Sequence, residues 1–512
     1  MTKIYLSAIV FFVSSGICAQ DFSITDPTFG TDGRATINQG VASTGSSDNQ
    51  GRRTMHVLSN DDIIVVGTGK QSGTDYDVFV GKFQADGTVD SNFGTSGAVF
   101  INTGGTADEA TGSDIGPNGE IFITGTYIDP FGTGFRNILV VSLNANGTLN
   151  TNFSDDGILT TNISSTSTSE GRDIKALSDG SVLVAFRTSV TSNNPGIEFA
   201  VMKLTPQGEP DESFGENGIA VIVDPVTADN VYRLALQDDG KIILGGIKNT
   251  NPVSYQFIRL DENGTIDEDF GTGGIVTITH NDSNIPNLFF LTVESDGKIL
   301  AGGNTSLGGG SSMASVVRLN SDGSPDDTFG NQGRVSLGLP TTARAVLRDG
   351  SDDYYVIGTD LGDVVSTKIT STGALVNTFG VNGTANFGNT IPNGVDVCGA
   401  MQSDGKFLIA GRVSETGIQK YGILRAGGPE IGTGIQMQES EAFSVYPNPA
   451  QHTITVRKAD TGLSTCTISD LQGRILLKSQ INSLTTIPVD GLSGGMYLLN
   501  IEGESVKIII EK

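Results

Sequence analysis

The 512-residue sequence contains no tryptophan, only three cysteines and three histidines, and few basic residues for its length. One cysteine, Cys18, lies in an N-terminal leader, and the other two, Cys398 and Cys466, are far apart in the chain. A disulfide framework is therefore not expected. The formal charge of −26, from 57 acidic and 31 basic residues, opposes binding to nucleic acid or to anionic lipid.

Long apolar runs are absent after the N-terminus. Lys3 is followed by an apolar stretch, residues 4–13, and by a small polar run that ends at Ala19. This order predicts a secretory signal peptide over residues 1–19. No later run approaches the roughly 20 apolar residues that a membrane helix needs, so we expect no membrane-spanning segment.

The three histidines, His56, His280 and His452, lie in unrelated parts of the sequence. Neither a zinc site nor a serine triad has its parts at recognisable spacing. We therefore expect these histidines at surface or turn positions, and the sequence predicts neither a catalytic residue nor a metal ligand among them.

Glycine, in contrast, is abundant, with 69 residues, and many of these belong to a recurring eight-residue motif. The copies are DPTFGTDG (26–33), DSNFGTSG (90–97), NTNFSDDG (150–157), DESFGENG (211–218), DEDFGTGG (267–274), DDTFGNQG (326–333) and VNTFGVNG (376–383). Their phenylalanines are spaced by 50 to 64 residues, which indicates a tandem repeat.

Two positions of the motif are the same in all seven copies. The fourth position is Phe29, Phe93, Phe153, Phe214, Phe270, Phe329 and Phe379, and the eighth is Gly33, Gly97, Gly157, Gly218, Gly274, Gly333 and Gly383. We predict that each phenylalanine fills the gap between adjacent sheets and that each glycine adopts positive φ or permits close backbone approach. The leading Asp is replaced by Asn150 and Val376, which argues against a chemical task shared by all copies.

Between successive motifs the same series of short apolar runs returns. In the fourth unit these are GIAVIV (218–223), VYRLALQ (231–237), KIILGG (241–246) and YQFIRL (255–260). Asp-Gly and Asn-Gly turns between such runs predict β-hairpins, and helical periodicity is absent. Four strands counted after each motif predict an all-β fold, a seven-bladed β-propeller over residues 20–425, with an open solenoid as the alternative.

A calcium site is the other interpretation of the acidic turns. Asp261, Asn263, Asp267 and Asp269 place oxygen atoms at alternating positions, but the terminal Glu of an EF-hand is missing. Asn-Gly turn chemistry accounts for the same residues. The sequence therefore predicts no cofactor and leaves calcium as an alternative.

The repeat, with RLDENGTIDEDFGTGGIV and the hairpin QDDGKIILGG, resembles the delta-60 repeat of secreted bacterial proteins. The resemblance covers residues 21 to about 425. It implies propeller blades but no settled activity. The sixth and seventh units depart most from the pattern, since STGALVNTFG lacks the acidic turn and RDGSDDYYVIG shifts the hairpin.

A glycine-rich and then acidic linker, residues 426–442, separates the repeats from a C-terminal module, residues 443–512, which we expect to form a small β-sandwich. The module resembles the type A C-terminal sorting domain of the type IX secretion system, typical of Bacteroidetes. The matching residues are Tyr446, Pro447, Asn448, Pro449, Asp470, Gly473, Arg474, Gly495 and Tyr497. This resemblance implies contact with the secretion machinery and transit across the outer membrane.

These observations predict an exported scaffold at the cell surface or in the medium that binds a glycan or protein ligand. Two alternatives remain open: a propeller enzyme such as a polysaccharide lyase or glycosidase, and a structural matrix or gliding component. Carboxylates, Tyr, Arg and His gathered at the centre of the ring would favour the enzyme.

Overall fold

The structure is a computed structural model, and it divides the chain into two units, Met1–Gly428 and Pro429–Lys512. The boundary falls inside the linker predicted over residues 426–442. The described residues are 25–38, 54–69, 76–105, 107–129, 135–163, 168–188, 198–222, 230–249, 252–279, 287–308, 311–388, 397–415, 418–427, 443–446, 450, 452–458, 462–470, 474–501 and 504–510. The predicted signal peptide lies outside them.

The first unit is built from 28 short strands and one four-residue helix, α1 (Ser154–Gly157), within the described residues. The strands are β1 (Arg34–Asn38), β2 (Thr54–Val57), β3 (Ile63–Gly69), β4 (Asp77–Phe83), β5 (Ala98–Ile101), β6 (Asp108–Ile115), β7 (Ile121–Ile128), β8 (Arg136–Leu143), β9 (Ile158–Thr161), β10 (Ser169–Ala176), β11 (Val182–Thr188), β12 (Glu198–Leu204), β13 (Ile219–Ile222), β14 (Asn230–Leu236), β15 (Ile242–Lys248), β16 (Ser254–Leu260), β17 (Ile275–Thr279), β18 (Asn287–Val293), β19 (Ile299–Gly308), β20 (Ser311–Leu319), β21 (Arg334–Leu337), β22 (Thr342–Arg348), β23 (Tyr354–Asp360), β24 (Asp363–Ile369), β25 (Thr384–Gly388), β26 (Cys398–Met401), β27 (Phe407–Glu415) and β28 (Ile418–Ala426).

In the described residues these strands form seven four-stranded antiparallel sheets. We number them sheet 1 (β2–β5), sheet 2 (β6–β9), sheet 3 (β10–β13), sheet 4 (β14–β17), sheet 5 (β18–β21), sheet 6 (β22–β25) and sheet 7 (β26, β27, β28, β1). The strand that follows each motif pairs with the strand that precedes it, as β17 pairs with β16. The motif is therefore a loop inside a sheet, between its third and fourth strands.

The predicted grouping, four strands after each motif, is consequently wrong by one strand. GIAVIV contains β13, which is the fourth strand of sheet 3, and it does not open sheet 4. The physical reason is that the motif reverses the chain, so the strand after it pairs antiparallel with its sequence neighbour. The strand after the first motif, β1, has no earlier sheet to join and completes sheet 7 by pairing with β28.

The sheets surround a common centre. The first strands contact one another in cyclic order: β2 with β6, β6 with β10, β10 with β14, β14 with β18, β18 with β22, β22 with β26, and β26 with β2. An open solenoid would leave β2 and β26 apart. The predicted all-β propeller class is confirmed.

Apolar layers hold neighbouring sheets together. Between sheets 4 and 5, for example, Ile243 and Phe257 pack with Ile299 and Val317. The second and third strands are covered on both faces, so strands such as β15 and β16 are buried along nearly their whole length, including polar residues such as Gln256. The fourth strands alternate, as β1 does, because only part of their surface faces a neighbouring sheet.

The second unit is a small β-sandwich. Its strands are β29 (Phe443–Tyr446), β30 (Thr453–Lys458), β31 (Ser464–Ser469), β32 (Ile475–Ile481), β33 (Leu484–Pro488), β34 (Gly495–Ile501) and β35 (Glu504–Ile510). They form two sheets, in the orders β29-β30-β33 and β32-β31-β34-β35. Ile454 and Val456 from one sheet and Ile468 and Leu499 from the other share a single apolar core.

Candidate functional site

The two ends of the ring are built differently. At one end, which we call the motif end, lie the tight turns after each first strand and the seven motif loops. At the other, the variable end, lie the connections between second and third strands and those between sheets. The connections between sheets range from 4 residues, between β21 and β22, to 15, between β1 and β2. The motif end therefore repeats its structure, whereas the connections between sheets at the variable end differ in length.

At the motif end, Phe270 is fully buried between sheets 4 and 5. The Arg259 guanidinium lies 4.7 Å from the centroid of its ring, and Arg259 Nε donates a 2.6 Å hydrogen bond to Asp267 Oδ2. Arg259 Nη1 also donates to the backbone oxygen of Ser321, in a turn of sheet 5. A single arginine thus joins the motif of one sheet to the next sheet, and we call this arrangement the latch.

The latch recurs in two other copies of the motif that also have an arginine and an aspartate. Arg318 bonds Asp326 and the Ser371 carbonyl of sheet 6, with distances of 2.7 Å for both. Across the ring closure, Arg425 Nη2 lies 2.8 Å from Asp26 Oδ2, and Arg425 Nη1 donates to the Ala85 carbonyl of sheet 1 at 3.1 Å. The first and last parts of the repeat region are thereby joined.

The partner of the leading motif residue differs among the other copies. Lys82 pairs with Asp90 at 3.0 Å and Lys203 with Asp211 at 2.9 Å. Where the aspartate is replaced by Asn150, the cation is replaced as well, and Asn150 donates to the Ser142 hydroxyl. Where it is replaced by Val376, the corresponding Lys368 pairs with Asp349 at 2.9 Å instead.

Backbone geometry completes each motif. The seven glycines at the eighth position all have positive φ, between +75° and +90°. Six motifs also donate a backbone hydrogen bond to a turn of the following sheet, as Gly271 does to the Asp322 carbonyl at 2.9 Å. A Cβ on the turn glycine Gly323 would lie 2.7 Å from the Phe270 ring. The ring therefore packs in this position only because the turn residue is a glycine. The motif end therefore serves to hold sheets together.

A row of β-bulges lies on the first strands, in the half nearer the variable end. The strand register shifts by one residue in sheets 2 to 6. The extra residues are Thr111, Arg172, Tyr232, Phe289 and Arg344. Bulges redirect side chains and are frequent beside functional sites. Five equivalent positions at the centre of the ring therefore carry four residue types, with arginine occurring twice.

Neighbouring bulge residues are linked around the centre. The Thr111 hydroxyl donates to the Gly171 carbonyl of sheet 3 at 2.9 Å. The Arg344 guanidinium of sheet 6 lies 3.9 Å from the Phe289 ring centroid of sheet 5. Arg233, next to the bulge of sheet 4, donates from Nε to the Phe289 carbonyl at 2.7 Å. The side chains of the row are consequently held by contacts between sheets.

An arginine cluster adjoins this row in sheets 2 and 3. Glu170, 2% exposed, accepts hydrogen bonds from Arg187 Nε at 2.8 Å, Arg187 Nη2 at 2.9 Å and Arg172 Nη2 at 2.8 Å. Arg136 Nε lies 3.7 Å from Glu170 Oε1, and Arg136 Nη1 lies 3.7 Å from Glu109 Oε2. We call Glu109, Arg136, Glu170, Arg172 and Arg187 the arginine cluster.

The charges of the cluster act on one another. Burial alone would raise the pKa of Glu170, but the hydrogen bond from Arg187 and the charges of Arg172, Arg187 and Arg136 lower it. Burial and the like charge of Arg187 lower the pKa of Arg172 to about 10. Glu170 is therefore ionised at neutral pH and fully engaged by arginines, which suits it to hold cations in place rather than to transfer protons.

His56 does not lie in a turn, and it is half-buried. It is on β2, and its Nε2 lies 2.8 Å from the Ser113 hydroxyl. Burial lowers the pKa of His56. In the described part of the chain no carboxylate hydrogen-bonds the His56 ring, and Ser113 is only 3% exposed, so this pair lacks the orienting acid and the access of a serine triad.

The other two histidines differ in what can be said of them. His280 lies outside the described residues. His452, in the second unit, is exposed and its Nδ1 lies 2.8 Å from Asp490 Oδ1.

The four calcium candidates lie in one turn and its motif, where protein groups already engage the side chains of Asp261, Asn263 and Asp267. Lys241 Nζ lies 2.6 Å from Asp267 Oδ2 and 3.9 Å from Asp261 Oδ1. Asn263 Oδ1 accepts hydrogen bonds from Thr265, and Asp267 Oδ1 accepts one from the Asp269 amide. Among the residues that the structure describes, no group of three or more His, Cys, Asp or Glu side chains could hold a metal.

The predicted sorting residues are distributed over the second unit. Asp470 accepts hydrogen bonds from the Arg474 amide at 2.9 Å and from Arg474 Nε at 3.0 Å. Tyr497 is buried, and its hydroxyl donates to the Ser493 carbonyl at 2.9 Å. Tyr446 ends β29 and Gly495 begins β34. Pro447, Asn448, Pro449 and Gly473 lie outside the described residues.

Comparison with protein families identifies both parts of the chain. Residues 444–512 match the secretion system C-terminal sorting domain. Residues 237–270 and 294–329 match a β-propeller domain of unknown function, DUF5122. The chain is thus a propeller protein with a type IX sorting domain, which indicates secretion across the outer membrane to the cell surface or the extracellular space.

Other comparisons add little about function. No curated protein matches the chain. Among solved structures, the polysaccharide lyase Uly1 is 12% identical, with 76% of this chain and 92% of that one covered and a TM-score of 0.43. A PL25 ulvan lyase is 13% identical, with 77% and 97% covered and a TM-score of 0.41. The α-L-arabinofuranosidase Arb93A from Fusarium graminearum is 8% identical, with 76% and 97% covered and a TM-score of 0.38. At these values the likenesses carry no argument about activity.

Membrane-spanning helices are not found in the described residues. Across the described ranges, no helix is long and apolar enough to cross a bilayer.

Sequence reasoning missed both the bulge row and the arginine cluster. The signal was present in the first strands, because SEGRDIKA in sheet 3 carries charges where NLFFLTV in sheet 5 is mostly apolar. Alignment of the copies on the turn that follows each first strand would have found it, because the extra residue lies at the same distance before the turn glycine in sheets 2 to 5, as Arg172 does before Gly180.

Proposed function

We propose that this protein is an exported propeller scaffold that binds an extracellular ligand at the variable end, near the centre of the ring. The bulge row carries the proposal: equivalent positions on the first strands hold Thr111, Arg172, Tyr232, Phe289 and Arg344. A purely structural position would be expected to keep similar side chains, as the motif phenylalanines do. Variation at one end and repetition at the other separate ligand binding from ring assembly.

The delivery part of the proposal assigns residues 1–19 to export across the inner membrane and the sorting domain to transit across the outer membrane. Deletion of residues 443–512 should leave the protein in the periplasm. The measurement is fractionation of cells that express the full-length or the truncated chain. Surface delivery of the truncated chain would contradict this assignment.

A binding panel tests the scaffold function. The purified mature chain, residues 20–512, is applied to immobilised glycans and surface proteins, and Tyr232→Ala is compared with Phe379→Ala. Both side chains are partly buried aromatics, but Tyr232 lies in the bulge row and Phe379 at the motif end. We expect Tyr232→Ala alone to weaken binding. Self-association of the chain without any ligand would favour the matrix component instead.

A carbohydrate-active enzyme is the second candidate, since Glu109 and Glu170 lie beside arginines and one of these, Arg172, interacts with Tyr232. The lowered pKa of Glu170 and its bonds to Arg172 and Arg187 oppose a role as general acid, which needs a raised pKa. Degradation of any bound glycan, followed as new reducing ends, would overturn the scaffold function in favour of this candidate.

A further inference from the structure

Arg136 differs from the other arginines of the cluster. Its distances of 3.7 Å to Glu109 Oε2 and Glu170 Oε1 exceed those of hydrogen bonds. In the described part of the chain, its guanidinium has no acceptor within hydrogen-bond distance, and its side chain is 33% exposed. Attraction to two carboxylates therefore holds Arg136 in place, while its N–H donors remain available to a bound molecule.

The cluster exposes its cations and buries its anions. The side chains of Glu109 and Glu170 are 6% and 2% exposed, whereas those of Arg136 and Arg187 are 33% and 23% exposed. The surface that meets solvent is consequently cationic, in a chain whose formal charge is −26. The like charge of Arg187 disfavours protonation of Arg172, and an additional anion beside them would relieve this repulsion.

Polar groups suited to sugar hydroxyls adjoin these cations. Arg187 Nη1 lies 3.4 Å from Asn230 Oδ1, which brings the start of β14 to the cluster, and Tyr232 follows on the same strand. Arginine presents a planar fork that matches carboxylate and sulfate groups, and amide and phenol groups recognise hydroxyls. The exposed arginines and the neighbouring amide and phenol groups thus lie on one surface, formed by sheets 2 to 4.

We propose that the ligand of the variable end is an acidic saccharide, whose carboxylate or sulfate group is bound by Arg136 beside Arg187 and Arg172. This inference rests on the proposed binding function and names the chemical class of the ligand. It predicts that affinity depends on the negative charge of the saccharide and falls as salt is added.

Matched probes separate charge from sugar identity. The mature chain, residues 20–512, is titrated with polygalacturonate and its methyl ester, with dextran sulfate and dextran, and with poly-L-glutamate. We expect one of the acidic polysaccharides to bind at least tenfold more tightly than its uncharged counterpart. The pair that shows the difference identifies carboxylate or sulfate as the bound group.

Variants then place the binding at Arg136. Arg136→Gln should weaken binding of the acidic polysaccharide by roughly tenfold, the loss of one charge-assisted contact, and Arg136→Lys should retain part of it. Arg348→Gln is the control, because Arg348 is also a part-exposed arginine paired with carboxylates, but at the motif end. Unchanged thermal midpoints verify folding, and the wild-type probe pairs remain informative if Arg136→Gln does not fold.

The outcomes distinguish the two proposals. Three results would overturn the proposal of an acidic saccharide ligand while leaving a binding scaffold. They are equal binding to charged and uncharged polysaccharides, stronger binding to poly-L-glutamate, and equal losses of affinity in Arg136→Gln and Arg348→Gln. A chain that binds neither these probes nor any member of the glycan and protein panel would contradict the scaffold itself.

Discussion

The Arg259 guanidinium lies 4.7 Å from the centroid of the Phe270 ring, although the two side chains belong to opposite flanks of one motif turn. Arg259 also reaches the Ser321 carbonyl of the neighbouring sheet, and Phe270 is buried between the same two sheets. The latch therefore combines an aromatic ring buried between sheets 4 and 5 with an arginine that donates hydrogen bonds to oxygen atoms in both sheets. Its physical consequences can be measured at several positions.

Phe270→Ala should lower the free energy of unfolding by about 3–5 kcal/mol, because it removes a fully buried ring from a packed layer. Chemical denaturation measures the loss. Phe379→Ala is the matched control at the same motif position, and its smaller expected loss follows from its partial burial. An unchanged stability for Phe270→Ala would refute the filling role.

The pairing of Arg318 with Asp326 should behave as a unit. Asp326→Asn leaves the buried Arg318 without its carboxylate and should destabilise the protein, whereas adding Arg318→Ser recreates the Ser142 and Asn150 pair found in sheet 2. We expect the double variant to be less destabilised than the sum of the single variants by about 1 kcal/mol or more. Simple additivity in the mutant cycle would contradict the latch.

Low pH should lower the stability of the propeller, because the motif aspartates become protonated. Hydrogen bonds from Ser213 and Lys203 lower the pKa of Asp211 to about 2, and that of Asp267 is lowered by Lys241 and further partners. A depressed folded-state pKa stabilises the native state above the unfolded value, about 4, and this stabilisation is lost as pH falls through the folded value. The denaturation midpoint should therefore decline between pH 4 and about 2.

The pH response has its own control. Asp211→Asn removes one of the titrating groups, so its midpoint should fall less steeply over the same interval than that of the unmodified chain. Parallel pH profiles for the two proteins would show that Asp211 does not contribute.

Calcium is expected to leave stability unchanged, because the Lys241 ammonium already lies between Asp261 and Asp267. Thermal melts of the mature chain with calcium and with a chelator provide the measurement. A higher midpoint in calcium that disappears in Asp267→Asn would instead establish the site that the alternating oxygens suggested.

Several features of the fold could be predicted from the sequence because they depend on local patterns. The repeat spacing, the Asp-Gly turns and the alternating apolar runs indicated the strands and the propeller class. The sheet boundaries could not be predicted, because the residues of GIAVIV do not indicate whether this strand pairs with the strand before it or with the strand after it. That choice depends on the chain reversal at the motif, which only the pairing of β12 with β13 reveals.

The candidate site was less accessible to sequence reasoning than the fold. Arg136 begins the third strand of sheet 2, and Glu170 is the second residue of the first strand of sheet 3, so their proximity depends on how the sheets surround the centre. The partner of a motif aspartate, such as Arg259 for Asp267, lies only eight residues earlier, except that Asp26 pairs with Arg425 across the ring closure. That pairing could have been found by aligning the copies, since Ser142 changes together with Asn150.

Hydrogen exchange tests most directly whether ligands bind at the variable end. The mature chain is compared with and without the saccharide or protein that binds most tightly in the panels. The account predicts slower exchange of backbone amides in β10 and β14, at the arginine cluster and the bulge row, with no change in the motif loops. Protection confined to the motif loops or to the second unit would contradict it.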